Sequence, residues 1–202
     1  MRRLVVNTFL TLDGVMQAPG GPDEDRDGGF AYGGWSAPLW DDMMGQLMGE
    51  FMGKPFDLVL GRRTYDIFAA YWPNATEDGA EALNSATKHV ASRGRPALRW
   101  QKSVLIDGDV ADGVAALKQE DGPELQVHGS GDLLQTLLRH DLIDELSLWT
   151  FPVVVGSGKR LFADGAVPAA LKLVDHKVST TGVVHGVYRP AGEIRTGAFP
   201  LE

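Results

Sequence analysis

Short apolar runs alternate along the chain with longer stretches in which apolar residues recur at helical spacing. Continuous or alternating apolar runs are typical of strands, and a period of three to four residues is typical of amphipathic helices. On this basis strands are predicted at residues 4–10, 57–60, 88–91, 103–106, 125–128 and 143–151, and helices at 38–52, 62–71, 110–119 and 132–140. Two last β-like runs, 171–179 and 183–189, flank Thr180-Thr181-Gly182 and predict a hairpin.

The order of these elements predicts the fold class. Parallel neighbours in a sheet need a crossover connection, commonly a helix, whereas a hairpin joins antiparallel neighbours. We therefore expect a single α/β domain over residues 1–202, with a loose tail at 191–202. Its central sheet is expected to be mostly parallel, with helices on both faces and a C-terminal antiparallel hairpin.

One long segment interrupts this pattern. Residues 18–34 are rich in glycine, aspartate and proline and end in Tyr32-Gly33-Gly34-Trp35. Connections of this length in a compact domain are usually functional lids or mobile segments. The segment is therefore either a lid or substrate loop, or an ordinary surface loop.

Composition narrows the function classes. The chain carries a formal net charge of -8, which repels nucleic acid and anionic membrane surfaces. It has no cysteine, so disulfides, thiolate metal sites and cysteine nucleophiles are excluded, and its five histidines show no paired metal-ligand spacing. Because the opening Met1-Arg2-Arg3 leads directly into a short apolar run, no signal peptide or membrane span is predicted. We expect a cytoplasmic protein without a metal site.

Two predicted strand-to-helix junctions carry glycine. Gly61 is followed by Arg62, Arg63 and Thr64, a combination suited to phosphate at a helix N-terminus. The second junction is Gly129-Ser130-Gly131. Either junction alone is equally typical of simple turn chemistry, but two in one domain favour a dinucleotide. The second junction does not complete the Rossmann fingerprint, since Leu134 stands where its third glycine would fall.

Several segments together resemble a known family. These are Leu12-Asp13-Gly14-Val15-Met16, Leu60-Gly61-Arg62-Arg63-Thr64-Tyr65 and the run 129–162, which contains Asp144-Glu145-Leu146 and Phe151-Pro152-Val153-Val154-Val155-Gly156-Ser157-Gly158. In this order they resemble the dihydrofolate reductase-like family, and within it the reductase domain of riboflavin biosynthesis. The resemblance covers nearly the whole chain.

The resemblance implies an NADPH-dependent reductase of dihydrofolate reductase-like fold, with the cofactor bound across the carboxyl ends of the strands. It assigns cofactor binding to Gly61, Arg62, Arg63, Thr64, Ser92, Arg93, Gly129, Ser130 and Gly131. Folate reductases often carry an arginine after the second glycine turn, where this chain has Asp132. One basic contact that would favour NADPH over NADH is therefore missing.

The substrate side departs from the family pattern. Where folate reductases place a carboxylate on the first long helix, this chain has Trp40, with Asp41 one position and about 100° further around the predicted helix. Folate is therefore not the expected substrate. Trp40 either packs on a flat substrate ring or belongs to the core, and Asp41 is a candidate substrate ligand. Asp13 is a candidate catalytic or substrate-binding acid, or simply a turn residue.

The expected reaction is hydride transfer to a C=N or C=O carbon of a small heterocyclic substrate, with the proton supplied by water or Asp13. A stand-alone pyrimidine reductase of the riboflavin pathway remains possible. A non-catalytic NADPH-binding sensor or partner-binding module, or a chain that has lost the cofactor, are the alternatives. The apolar segment 153–155, the hairpin and the tail with Phe199 and Leu201 could supply a homodimer interface.

Overall fold

The computed structural model describes residues 1–162 and 166–199 of the chain. Within these residues eight strands form one sheet: β1 (Leu4–Thr11), β2 (Phe56–Gly61), β3 (Lys88–Ala91), β4 (Ser103–Leu105), β5 (Glu124–Val127), β6 (Glu145–Phe151), β7 (Leu171–Val178) and β8 (Val184–Pro190). Their order is β4-β3-β2-β5-β1-β6-β8-β7. Strands β1 to β6 pair in parallel, while β8 is antiparallel to both β6 and β7. The predicted α/β class, with its C-terminal hairpin, is confirmed.

The helices of the described residues are α1 (Asp42–Met52), α2 (Arg62–Tyr71), α3 (Ala80–Ser85), α4 (Val110–Gln119) and α5 (Gly131–Arg139). Alternate residues of a strand point to opposite faces of a sheet. On β2, Val59 packs in the cluster that includes α4 and α5, whereas Leu58 and Leu60 pack in the cluster that includes α2 and α3. Helices therefore cover both faces, as the sequence predicted, although the short helix α3 was not anticipated.

The first helix begins later than the apolar spacing predicts. Residues Ala37–Leu39 form a separate 3-10 turn, and Trp40 is extended, with φ -68° and ψ 135°. The helix starts at Asp42 because Asp41, itself extended, accepts a hydrogen bond from the Met44 backbone N–H at 3.1 Å and caps it. Trp40 and Asp41 consequently lie outside the helix, so the predicted angular offset between them is wrong.

The segment at 18–34 is anchored to the domain. Its Phe30 is buried, together with the following Trp35, whose indole N–H donates to the Gln17 carbonyl at 2.8 Å. The Gly34 backbone N–H donates to the Ala18 carbonyl at 2.8 Å, which closes the segment at its base. The segment is therefore packed against the domain, because its Phe30 and the adjoining Trp35 join one core cluster.

The end of the chain lies apart from this core. Residues 191–199 are exposed along their whole length, and Phe199 is among them. Leu201, the other tail residue predicted to serve an interface, lies outside the described residues. Among the residues that the structure describes, no helix is both long and apolar enough to cross a membrane.

Candidate functional site

The two glycine junctions lie side by side because β2 and β5 are parallel neighbours in the sheet. The chain leaves β2 at Gly61 into α2, and leaves β5 through Gly129 into α5. The Thr64 and Ser130 hydroxyl oxygens are 2.8 Å apart across the gap between the two turns. A Cβ on Gly61 would lie only 2.1 Å from the Ser130 Oγ, so glycine is what allows the two turns to approach so closely.

The N-termini of α2 and α5 differ from those of the other long helices. Asp41 caps α1, and Asp109 caps α4 by accepting from two backbone N–H groups of its first turn. No side chain of the described residues caps α2 or α5. Uncapped first-turn N–H groups, together with the positive end of the helix dipole, form a natural anion site. The two uncapped ends thus supply two such sites next to each other.

A cleft of about 1400 Å³ opens over these turns, at the carboxyl ends of the parallel strands. All the predicted cofactor residues line it: Gly61, Arg62, Arg63, Thr64, Ser92, Arg93, Gly129, Ser130 and Gly131. Ligands of open parallel sheets bind outside the carboxyl ends of the strands. The residues that the sequence assigned to one cofactor are therefore brought together in space, while their binding role stays a prediction.

Two of the cleft arginines are held loosely. Arg62 pairs with Asp66 on the same helix at 2.7 Å, and both side chains are partly exposed. Arg93 lies 3.5 Å from Asp132, and the two side chains are almost fully exposed at 97% and 96%. Exposed pairs of this kind contribute little to stability, so either arginine can turn toward a ligand at small cost.

Arg63 is held more firmly, by a group that we call the acidic bridge: Asp25, Asp27, Arg63 and Lys159. Arg63 donates to Asp25 and Asp27 at 2.9 and 2.7 Å, and Lys159 donates to the same two carboxylates at 2.6 and 2.8 Å. Burial works to raise the pKa of Asp25, but the hydrogen bonds from Lys159, the Asp27 N–H and Arg63 outweigh it and leave that pKa lowered. The bridge fastens the segment 18–34 against the cleft.

Asp13, the predicted catalytic acid, is not among the residues that line the cleft. Its carboxylate accepts from the Thr11 hydroxyl at 2.6 Å and from the Gly156 backbone N–H at 2.9 Å, and Arg160 contacts the same residue. The hydrogen bond from Thr11 is the main cause that lowers the pKa of Asp13. An anionic carboxylate occupied in this way is unsuited to donate a proton, so the geometry assigns Asp13 to joining β1 with the loop after β6.

Of the two predicted substrate residues, Trp40 lies in the cleft lining and Asp41 does not. Trp40 lines the cleft, is 42% exposed and lies 5.9 Å from the Phe9 ring between centroids. Asp41 lies outside the lining: its carboxylate caps α1 and accepts from the Thr180 backbone N–H and hydroxyl, both at 2.8 Å. The hydrogen bond from the Thr180 hydroxyl lowers the pKa of Asp41. Asp41 therefore ties the hairpin to α1, and the geometry does not support a substrate role.

The inner part of the cleft contains residues that were not among the predicted site residues. Asn7 and Phe9 on β1, Met48 on α1 and His128 after β5 all line it. Burial lowers the pKa of His128 to about 4, so its ring is neutral at pH 7. The sequence signal for Asn7 was its polar amide directly after the apolar run Leu4-Val5-Val6 that begins β1.

Comparison with known proteins extends this description. A family model described as the RibD C-terminal domain matches residues 2–185. Two uncharacterized proteins of Bacillus subtilis (strain 168) are each 27% identical. YyaP matches over 196 residues, which is 93% of this chain and 94% of YyaP, and YwjB over 174 residues, which is 85% and 89%.

Two solved structures share the fold. A protein from Shewanella sp. PV-4 described as a candidate riboflavin biosynthesis protein superposes with a TM-score of 0.65 at 21% identity, covering 95% of this chain and 99% of its own. A pyrimidine reductase-like protein from Corynebacterium diphtheriae superposes with a TM-score of 0.60 at 13% identity, covering 95% and 93%. These likenesses confirm the fold class.

Proposed function

Because the chain belongs to the RibD C-terminal domain family, a family of reductase-like fold, we propose that it is an NADPH-dependent reductase. In this proposal a hydride passes to a C=N or C=O carbon of a small heterocyclic substrate. The observation that carries the proposal is the pair of uncapped helix N-termini, α2 and α5, that converge at the 2.8 Å contact between Thr64 and Ser130. A dinucleotide has two linked phosphates, and adjacent anion sites suit it.

The residues present fit such a cofactor. Gly61 allows the two turns to approach each other, and the backbone at Gly131 is open to a ligand, since a Cβ there would meet only the Arg160 carbonyl, at 3.7 Å. Arg62 would support the phosphates beside the N-terminus of α2. Arg93 would hold the phosphate that distinguishes NADPH from NADH, since it is exposed and free to turn from Asp132.

The bound nicotinamide would supply the hydride, and the protein would supply orientation and exclusion of water. The segment 18–34, fastened by the acidic bridge, lines one side of the cleft and would help to exclude water from it. With Asp13 held as an anion outside the cleft lining, we assign the proton to water rather than to a carboxylic acid.

Turnover tests this function. Purified protein is incubated with NADPH and a panel of heterocyclic ketones, lactams and cyclic imines, and loss of the reduced nicotinamide absorbance is followed. The proposal expects consumption with at least one member of the panel, and a much slower rate in Gly61→Ala. Binding of NADPH without consumption across the whole panel would contradict catalysis and favour a sensor that uses the same cleft.

We also propose that the protein works as a homodimer on a small-molecule substrate and has no nucleic acid or membrane partner. Val154 is 68% exposed, and Val178 and Val184 of the hairpin are 61% and 41% exposed, which leaves apolar surface for a second copy. Light scattering is expected to give the dimer mass; a monomer mass at micromolar concentration would contradict this.

A further inference from the structure

The amide of Asn7 is fixed in one orientation. Its Oδ1 accepts from the Trp149 indole N–H at 2.7 Å and from the Ser147 hydroxyl at 3.1 Å. Since an indole nitrogen can only donate, the atom that faces Trp149 must be the amide oxygen. The Ser147 hydroxyl gives its single proton to Asn7, so it accepts in turn from His185 Nε2 at 2.8 Å. Both lone pairs of the Asn7 oxygen are thereby used.

The Nδ2 group of the Asn7 amide has only a weak hydrogen-bond acceptor near it. Asn7 Nδ2 carries two N–H donors, and its partner among the described residues is the Met48 sulfur at 3.8 Å. A thioether is a weak acceptor, so the donor capacity of Nδ2 is largely unused. The side chain is 3% exposed yet lines the cleft, which means that a ligand there would meet Nδ2 in a water-poor setting. An unused buried donor costs free energy that a suitable acceptor would recover.

The surroundings of this donor are flat, apolar or uncharged. Phe9 and Trp40 form an aromatic wall whose rings are tilted by 48°, and Met48 lies across from β1 on α1. His128 directly follows Val127, the last residue of β5, which pairs with Val6, and like Asn7 it lines the cleft. The Gln126 amide contacts the His128 ring at 3.2 Å. The cations that also line the cleft each lie within 4 Å of a carboxylate: Arg62, Arg63, Arg93, Lys159 and Arg160.

We propose that Asn7 is a specificity-determining donor, and that this inner subsite takes a flat, uncharged heteroaromatic ring that presents a carbonyl oxygen or ring nitrogen to Asn7 Nδ2. Only the identification of this ring as the substrate rests on the proposed reductase function. Binding of the ring itself depends on Asn7, Trp40 and Met48.

Three bicyclic probes test the subsite: 2-quinolone, which is neutral and has a carbonyl acceptor, naphthalene, which has none, and 2-naphthoate, which is charged. Asn7, Asn74 and Asn84 are the asparagines of the chain, so labelling asparagine with ¹⁵N gives few side-chain amide signals. The expected result is that the Asn7 signal moves clearly farther with 2-quinolone than with naphthalene. No movement with 2-quinolone, or binding of 2-naphthoate at least as tight as that of 2-quinolone, would overturn the proposal.

Substitution adds a second readout. Asn7→Asp keeps an acceptor for Trp149 and Ser147 but removes the N–H donors, and at pH 8 it is expected to weaken 2-quinolone binding about fivefold or more. Naphthalene binding should change less than twofold. The matched control is Asn74→Asp, the same change at an exposed position, which should leave both affinities unaltered. Should Asn7→Asp fail to fold, the wild-type signals still decide.

NADPH titrations on the same samples separate the two proposals. If the protein binds NADPH but the Asn7 signal does not move with 2-quinolone, the subsite proposal is overturned and the reductase function stands. If the Asn7 signal moves with 2-quinolone but NADPH does not bind, the subsite stands and the reductase function is overturned.

Discussion

The hydroxyl oxygens of Thr64 and Ser130 lie 2.8 Å apart although 66 positions separate the two residues along the chain. The contact exists because β2 and β5 are parallel neighbours, so the turns that follow them emerge at the same edge of the sheet. It brings the uncapped ends of α2 and α5 together, and these ends are the part of the cleft most suited to linked phosphates.

Replacing Gly61 is expected to force these turns apart. In Gly61→Ala the new Cβ would meet the Ser130 Oγ at 2.1 Å, so the chain must shift, and overpacking of this kind costs about 1–3 kcal/mol of unfolding free energy. Denaturant unfolding measures the loss. The control is Gly49→Ala on α1, where a Cβ meets nothing within 4 Å and alanine should stabilise the helix by about 0.5–1 kcal/mol. Equal stability of Gly61→Ala and wild type would show that the turns are not in close contact.

The junctions could be predicted from the sequence because their signal is local. A glycine at the end of an apolar run, followed by a helical period, marks a strand-to-helix turn wherever the strand lies, and Gly61 and Gly129 both satisfied it. The start of α1 could not be predicted in this way. The apolar spacing continues through Leu39 and Trp40, but the helix begins after Asp41, whose carboxylate also binds Thr180, 139 positions later.

The inner part of the cleft shows the same limit. Asn7 was visible as a polar residue in an apolar strand, but its meaning depends on Ser147 and Trp149, which reach it only through the pairing of β1 with β6. Asp13 was predicted to be a catalytic or substrate-binding acid or a turn residue, and it lies in a turn. Its partner Gly156, from the loop after β6, is another contact that sequence spacing does not contain.

Removing the carboxylates of the acidic bridge should loosen the segment 18–34. The double variant Asp25→Asn with Asp27→Asn loses both partners of Arg63 and Lys159, so hydrogen exchange at the Gly34 N–H, which binds the Ala18 carbonyl, should become about tenfold faster or more. Mass spectrometry of peptides from this segment measures the rate. Unchanged exchange in the double variant would mean that the bridge does not hold the segment.

The control for that experiment is Asp23→Asn. Asp23 lies in the same segment and pairs with Arg26, but both side chains are exposed. This variant should exchange like wild type.

The bridge also predicts a pH dependence. Because the pKa of Asp25 is lowered in the folded protein, its contribution to stability is fully present above the ordinary carboxyl value of about 4 and is lost as the pH falls through the lowered value. Exchange in the segment, corrected for the intrinsic rate, should therefore be constant from pH 7 to 5 and rise only in stronger acid. A rise already complete at pH 5 would contradict the lowered pKa.

Asp41 is expected to act on stability rather than on ligand binding. Asp41→Ala removes the cap of α1 and the tie to Thr180, and loss of a cap lowers Tm by roughly 2–4 °C in a chain of this size. Thermal unfolding measures the change. Asp42→Ala, one position further and outside the cap, should lower Tm much less. A normal Tm together with weakened binding of 2-quinolone in Asp41→Ala would restore the substrate role that the sequence suggested.

His128 should make the protein less stable in mild acid. Burial lowers its pKa to about 4 in the folded state, while the unfolded ring takes up a proton near 6.5, so stability falls as the pH drops from 6.5 toward 4. In His128→Gln the fall in Tm between pH 7 and 5 should be smaller. His140→Gln, a change at an exposed position, should keep the wild-type slope. If Tm falls with pH in His128→Gln as steeply as in wild type, the group whose protonation destabilises the protein is not His128.

Titration with NADPH and NADH, followed by nicotinamide fluorescence, measures whether the cleft binds a nicotinamide cofactor. It is made on wild type, on Arg62→Ala and on Asp66→Ala, which removes only the partner of Arg62. We expect NADPH to bind more tightly than NADH, the affinity for NADPH to fall tenfold or more in Arg62→Ala, equal to about 1.4 kcal/mol, and no loss of affinity in Asp66→Ala. Failure of wild type to bind either nucleotide would contradict the assignment of the cleft to a nicotinamide cofactor.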